Sequence, residues 1–220
     1  MAAGEQGGPN AQLARAKYRS RAGGYDRFMG LTRDMRKRAV EAAALRAGAV
    51  VLDIGCGTGL TFAHLEERIG PSGHVIGIDV SPEMLAKARQ RAQEGGWRNV
   101  TLIESTAEEA KIPARVDAAL FVLTHDVMRS PAALRHIVEH VKPGGRVVAG
   151  GARQPRWARR FGPLIRFGMG RYTTTTEGIE RPWSYLADVV PHLEIESLAL
   201  GAAYVAWGRT PLRTGATTTS

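Results

Sequence analysis

The chain has 220 residues, one cysteine and a formal net charge of +9, with a pI of about 10.3. The length suffices for one domain with a buried core, and 44% apolar against 23% charged residues indicates a globular rather than a disordered protein. The single cysteine excludes an internal disulfide and a cysteine-based zinc cluster. We find neither an apolar run long enough to cross a membrane nor a signal-peptide core, so we expect a cytoplasmic protein.

The N-terminal part of the chain is rich in glycine and in basic residues. Residues 1–10 are small and polar and predict a disordered tail. Residues 11–47 predict a helical cap that breaks at Gly23 and Gly24 and carries Tyr25 just after the break. Positive charge is concentrated in segments 15–38 and 153–171. Such faces bind nucleic acid or anionic membranes, or are solvated helix surfaces, and both interpretations stay open.

The stretch from Val50 to Gly59 predicts a buried strand, a tight turn and the start of a helix. Gly55 and Gly57, with Gly59, leave the turn without side chains, so the backbone can approach a ligand closely. The following helix begins with unpaired N–H groups, which suit an anionic ligand group. Asp53 precedes the turn and can hold a cation. The stretch therefore predicts a nucleotide-like ligand.

The register of this turn separates the classes of nucleotide site. A dinucleotide fingerprint needs Gly or Ala at Leu60, and a P-loop needs a lysine that is missing at this point. The pattern Asp-x-Gly-x-Gly-x-Gly resembles motif I of the class I S-adenosylmethionine (AdoMet) methyltransferases. The resemblance implies AdoMet as cofactor and S-adenosylhomocysteine (SAH) as product, with Asp53 meeting the cofactor ammonium. It also implies an α/β, Rossmann-like fold: a seven-stranded, mostly parallel sheet with an antiparallel edge strand, an N-terminal helical cap and a helical insert after the fifth strand. By the same resemblance, Tyr25 of the cap is a candidate cofactor or substrate contact, and a tyrosine packed under a helix is the alternative.

Further motifs of the same family follow in order. His74–Asp79 predicts the second strand, and its terminal Asp79 can accept hydrogen bonds from ribose hydroxyls. Ser81 is typical of a helix N-cap, with the helix running to Glu94. The resemblance adds Val80 and Met84 to the cofactor contacts, with Met84 near the adenine ring.

The third strand, predicted over Asn99–Glu104, leads to a departure from the family pattern. The family commonly has Asp where this chain has Thr106, and that Asp accepts a hydrogen bond from the adenine amino group. Thr106 or a backbone carbonyl is the predicted substitute, with Ala107 beside it.

The fourth strand, predicted over Val116–Leu123, ends in residues with acid–base chemistry. Ligands in such sheets lie outside the carboxyl ends of the strands, and the family presents residues to the methyl group here. The resemblance makes Thr124 a cofactor contact. His125 is the preferred candidate base, with Asp126 as its neighbour and Tyr172 as a further polar group. Because adjacent residues of an extended segment point to opposite sides, Asp126 need not be the partner of His125. A histidine that only shapes the pocket remains the alternative.

The chain then predicts a helix from Ser130 to Val141, and Lys142-Pro143-Gly144-Gly145 resembles the turn before the family's fifth strand. Residues 152–181 interrupt the strand–helix alternation and predict a lid-like helical insert. A helix from Pro182 to Val190 and strands over 193–200 and 202–207 follow, and the family pairs these last strands antiparallel at the sheet edge. The methyltransferase domain is predicted over 48–209 and a loose tail over 210–220.

Aromatic residues in and after the insert are the candidate substrate contacts: Trp157, Trp183 and Tyr185. They suit an apolar lid over an organic substrate, or they pack only on the protein's own core. His136 and His140 match the zinc-peptidase pattern H-x-x-E-H, but five-residue patterns often occur by chance and the helix belongs to the methyltransferase frame. We therefore predict no metal site.

The acceptor is predicted to be a small molecule. No Asn-Pro-Pro-Tyr-like motif follows the fourth strand, and Cys56, inside the glycine turn, cannot serve as the nucleophile that cytosine methylation needs, so nucleic acid is disfavoured. Segments 124–134, 171–186 and 199–208 are similar to short actinobacterial methyltransferases, some of which methylate indole C3 of tryptophan-containing cyclodipeptides. Alternatives are a lipid or quinone methyltransferase in peripheral contact with a membrane, and a non-catalytic AdoMet- or RNA-binding protein. We expect a monomer or a homodimer.

Overall fold

The structure is a computed structural model that describes residues 32–154 and 178–212. Several predicted features lie outside the described residues. They are the tail 1–10, the first part of the cap with Tyr25, most of the insert with Trp157 and Tyr172, and the last eight residues of the chain.

Seven strands form one sheet in the order β3-β2-β1-β4-β5-β7-β6. The strands are β1 (Val50–Ile54), β2 (His74–Asp79), β3 (Val100–Glu104), β4 (Val116–Val122), β5 (Val141–Ala152), β6 (Glu194–Leu198) and β7 (Ala203–Arg209). The helices are α1 (Arg33–Ala42), α2 (Phe62–Ile69), α3 (Pro82–Glu94), α4 (Pro131–His140) and α5 (Ser184–Ala187). Strands β1 to β5 are parallel, and β7 runs antiparallel to both β5 and β6. The predicted fold class is therefore confirmed, with the reversed strand second from the edge.

Strand bounds follow the predictions closely, and the differences have local causes. The predicted turn at Lys142 to Gly145 lies inside β5, because Val141 already pairs with Val116 before the pairing resumes at Arg146. Gly144 adopts φ of 73° within this excursion, a value that favours glycine. The helix predicted from Pro182 to Val190 is shorter, over Ser184–Ala187.

Both faces of the sheet are buried, and the strand residues alternate between them. Leu52 and Ile54 of β1 pack with α4 and α5 on one face, whereas Val51 packs with α1, α2 and α3 on the other. This arrangement explains the nearly continuous apolar runs of the central strands. It also aligns the carboxyl ends of β1, β2 and β4 along one edge of the sheet.

Helix α1 lies over β5 and β7 on the second face and brings Met35 and Arg36 to that edge. The buried residues of α1 fall at helical spacing, and Arg36 is one of them. Within residues 32–154 and 178–212, no helix is long and apolar enough to cross a membrane.

Candidate active site

An open cleft lies at the carboxyl ends of β1, β2 and β4. Ten of the residues predicted for the site line it: Gly55, Gly57, Asp79, Val80, Met84, Thr106, Ala107, Thr124, His125 and Asp126. They come from four separate stretches of sequence, which the parallel topology brings together. The cleft therefore has the position expected for a ligand site in an open α/β sheet.

The glycine turn after β1 forms one wall of the cleft. Gly55, Gly57 and Gly59 all have positive φ, at 62°, 56° and 75°. A Cβ atom at Gly55 would collide with the side-chain methyl group of Thr124, and a Cβ atom at Gly59 would lie 2.6 Å from the Phe62 ring. Gly55 thus permits contact between the turn and the end of β4, whereas Gly59 permits packing of the turn on α2.

Asp79 holds the glycine turn from the neighbouring strand. One carboxylate oxygen accepts a hydrogen bond from the Gly57 N–H at 2.9 Å, and the other accepts one from the Ser81 N–H at 2.9 Å. Burial raises the pKa of this carboxyl group, and the backbone N–H groups oppose that rise. Each carboxylate oxygen can accept a further hydrogen bond, so the group can also receive two hydroxyls.

Asp53 is buried at the end of β1, with 1% of its surface exposed. Its Oδ2 atom has no hydrogen-bond partner among the described residues. Burial raises the pKa of Asp53 to about 7, Arg36 acts to lower it, and Asp79 adds to the rise. A buried carboxylate with a spare acceptor atom is matched to a cationic ligand group.

Arg36 is a cleft residue that the sequence analysis placed only within a basic segment. It is 6% exposed, lines the cleft and donates a hydrogen bond from Nη1 to Thr32 Oγ1 at 2.6 Å. The available signal was its spacing from Ala39 and Val40, which puts Arg36 on the apolar face of α1. An arginine on the buried face of a helix is a stronger functional signal than one within a run of charges.

The chain turns sharply after β4. Leu123 has φ of 61°, and its N–H donates to the Gly150 carbonyl at 2.7 Å, next to the last β4–β5 pair. Asp126 has helical backbone angles, so the segment is not extended. His125 and Asp126 consequently line the same cleft, in contrast to the alternation that an extended segment predicts. One ligand in the cleft can therefore contact both residues.

Two threonines in the cleft carry buried hydroxyl oxygens without a hydrogen-bond partner in the part of the chain that the structure describes. These are Thr106 Oγ1 and Thr124 Oγ1. Nearby, Glu108 also lines the cleft and accepts a 2.6 Å hydrogen bond from Ser130, the N-cap residue of α4. Because buried polar atoms are normally satisfied, the two hydroxyls suggest a polar ligand at these points.

The described aromatic candidates lie away from the cleft. Trp183 is 7% exposed and packs against Tyr204 with ring centroids 5.0 Å apart, and the Arg153 guanidinium lies 5.6 Å from the Trp183 ring centroid. Tyr185 has the Arg129 guanidinium 5.8 Å from its ring centroid. Both rings pack on the protein's own core cluster, and neither lines the cleft. Their predicted role as substrate contacts gains no support from this placement.

The histidines of the H-x-x-E-H pattern form backbone contacts. His136 Nε2 lies 3.0 Å from the Ala110 carbonyl, and His140 Nδ1 lies 2.8 Å from the His136 carbonyl. Among the residues that the structure describes, no three His, Cys, Asp or Glu side chains are grouped so that they could hold a metal ion.

Comparisons with known proteins agree with this geometry. Residues 51–145 match the family described as "Methyltransferase domain". The chain is 35% identical over 118 residues to aklanonic acid methyltransferase DauC of Streptomyces sp. (strain C5), covering 51% of this chain and 52% of the relative. It is 32% identical over 142 residues to demethylmenaquinone methyltransferase of Listeria welshimeri, covering 61% of this chain and 59% of the relative. The matches thus span between half and three fifths of each of these two relatives.

A solved structure shares the fold. N-methyltransferase NodS from Bradyrhizobium japonicum WM9, in complex with SAH, superposes with a TM-score of 0.58 at 17% identity, covering 81% of this chain and 87% of that one. Such low identity shows the fold alone. The chain therefore shares the fold of this methyltransferase, and residues 51–145 are similar to the methyltransferase domain family.

Proposed function

We propose that this protein is an enzyme that transfers the methyl group of AdoMet to a small, flat, largely aromatic acceptor. One observation carries the proposal: a single cleft brings together the glycine turn, the Asp79 carboxylate and the unpartnered hydroxyls of Thr106 and Thr124. These groups come from the ends of different strands, where class I methyltransferase folds bind their cofactor.

The residues of the cleft fit the parts of AdoMet. Asp79 would hold the ribose hydroxyls, and Met84 with Ala107 offers an apolar surface for adenine. The hydroxyl of Thr106 is available to the adenine edge. Asp53 does not itself line the cleft, but its unpartnered Oδ2 would accept a hydrogen bond from the ammonium, and the Arg36 guanidinium would meet the carboxylate. The two opposite charges at the amino-acid end of the cofactor are thereby matched by two opposite charges of the protein.

In methyl transfer, the main contributions of the protein are to position the two reactants and to exclude water. When bound, AdoMet supplies an electrophilic methyl group on its sulfonium. Thr124, held against Gly55, and His125 lie at the end of β4, where this methyl group would face an acceptor. We assign His125 the role of receiving the acceptor's proton, since imidazole titrates near neutral pH and can act as a general base. Asp126 lines the same cleft and would orient His125 or the acceptor.

The relatives support an aromatic acceptor. The two relatives named above are methyltransferases of aklanonic acid and of demethylmenaquinone. We accordingly propose a phenolic, quinol or similar fused-ring acceptor. Tryptophan-containing cyclodipeptides, with methylation at indole C3, belong to the same broad class, and the sequence resemblance alone favours them.

Calorimetry with AdoMet and SAH is the first test. We expect wild-type protein to bind both ligands, and Asp79→Ala to lose at least tenfold in affinity because it removes the ribose acceptor and the support of Gly57. Asp188→Asn, at an exposed position, controls for the change in net charge. Transfer of labelled methyl groups to a naphthoquinol, an anthraquinone carboxylic acid and a tryptophan cyclodipeptide would then identify the acceptor class. A folded wild-type protein that binds neither AdoMet nor SAH would overturn the proposal.

A further inference from the structure

A second groove adjoins the cofactor cleft at the same edge of the sheet. Its apolar surface comes from α1, the ends of β5 and β6, the start of β7 and the residue after β4: Met35, Leu123, Ala152, Leu198, Ala199 and Ala203. Charged residues of α1 stand at its rim, with Asp34 and Lys37 exposed. Within the described parts of the chain, Leu123 is the one residue that lines both this groove and the cleft.

Neighbouring side chains of α1 face two different spaces, because the helix turns between them. Arg36 faces the cleft, whereas Met35 and Arg38 face the groove. Arg38 is fixed in place, because it lies 2.7 Å from Glu196 Oε2 and its guanidinium is 5.2 Å from the Trp207 ring centroid. Arg38 on this wall of the groove is therefore held in a fixed position. The side chains of α1 that line the groove differ from Arg36, which would hold the cofactor.

Leu123 reaches its position through an unusual backbone. Its φ of 61° is in the left-handed region, which is strained for a leucine. This turn ends β4 and sends the next residues, Thr124 and His125, to the cleft while Leu123 also contacts the groove. Strain at such a point is retained when the surrounding structure needs the side chain there.

We infer, resting on the proposed function, that this groove is the acceptor site and that Leu123 is the partition across which the methyl group passes. The occupant is a flat, mainly apolar aromatic molecule with a hydroxyl or carboxyl substituent. Its ring system would lie on Met35, Ala152 and Ala203, and its polar substituent would meet the charged rim of α1. The reacting atom would project past Leu123 toward His125. The size of residue 123 then determines which ring systems reach the methyl group.

The test uses full-length protein, SAH and menadione, an apolar two-ring quinone, as the probe. Calorimetry measures menadione binding with and without saturating SAH. We expect SAH-loaded protein to bind menadione, because SAH fills the cleft and leaves the groove open. Ala152→Phe, which fills the groove, should reduce menadione affinity at least tenfold and change SAH affinity less than twofold. Ala132→Phe makes the same change on the exposed face of α4 and should alter neither affinity.

Leu123→Ala supplies the second arm. Because Leu123 is a wall of both spaces, this variant should change the affinities for SAH and menadione together, by threefold or more each. Displacement of menadione by SAH, equal menadione binding to Ala152→Phe and wild type, or no menadione binding to either form of the wild type would each overturn the inference. Failure of SAH to bind would instead refute the proposed function, and menadione binding to ligand-free protein would still report on the groove.

Discussion

Replacement of Asp53 by Asn should stabilise the ligand-free protein while weakening cofactor binding. The side chain is buried at the end of β1, and burial raises its pKa from 3.8 to about 7. A carboxyl group whose folded pKa lies above its unfolded pKa binds more protons in the folded state. Stability is therefore lost as pH rises from about 4 through 7, and the loss is nearly complete by about pH 8. The amide that replaces this carboxyl group in Asp53→Asn does not ionise. The variant therefore does not lose this stability as pH rises.

The magnitude follows from the pKa difference. A shift from 3.8 to about 7 corresponds to about 4 kcal/mol at 1.36 kcal/mol per unit, of which about 3 kcal/mol falls between pH 5 and pH 8. The unfolding free energy of Asp53→Asn minus that of wild type should thus be about 3 kcal/mol larger at pH 8 than at pH 5. The orphaned Oδ2 atom is the structural source of the cost, since no described group donates to it.

Urea unfolding at pH 5 and pH 8 measures this difference directly, with m-values compared to detect changes in the unfolded state. Asp188→Asn serves as the matched control for the loss of one negative charge at an exposed position. The reasoning would be refuted if the stability difference between Asp53→Asn and wild type were the same at both pH values. Calorimetry of the same variant should show weaker AdoMet binding, which would identify Asp53 as a residue kept for function at the expense of stability.

Three further substitutions test the remaining parts of the site. Arg36→Met should weaken AdoMet binding tenfold or more, because its charge serves the cofactor carboxylate; calorimetry measures it, and an unchanged affinity of the folded variant would contradict the assignment. Gly55→Ala should abolish SAH binding, since its φ of 62° and the contact with Thr124 both exclude a Cβ atom; a variant that binds SAH normally would refute the need for glycine. His125→Asn should lower kcat at least tenfold with AdoMet affinity unchanged and should remove the acidic limb of the pH–rate profile; retention of that limb would exclude His125 as the base.

The sequence was sufficient to predict the sheet and the glycine turn because both depend on local patterns. Buried parallel strands read as apolar runs, and the glycines at every second position have no better explanation than a tight turn. The place of Arg36 in the cleft was not predicted, since it depends on which face of α1 packs on the sheet. The packing of Trp183 against Tyr204 could not be predicted either, because the two rings are distant in sequence. Periodicity identifies a buried face but not what lies opposite it.

The same reasoning about Asp53 predicts that cofactor binding depends on pH in a definite direction. In the ligand-free protein, Asp53 has a pKa of about 7, so it is largely protonated at pH 6. An ammonium placed beside it favours the ionised form, so binding at pH 6 must release a proton. Affinity for AdoMet should then fall by up to tenfold per pH unit below 7.

Above about pH 8 a free α-amino group loses its own charge, so affinity should fall again and be greatest between pH 7 and pH 8. Calorimetry at pH 6 in two buffers with different ionisation enthalpies counts the released proton, with Asp188→Asn as the control for the loss of one carboxyl group at an exposed position. We expect close to one proton per bound AdoMet in wild type and none in Asp53→Asn. An affinity that stays constant from pH 5.5 to pH 7.5, with no proton released, would show that Asp53 is already ionised before the cofactor arrives and that Arg36 and the Thr61 hydroxyl compensate its burial.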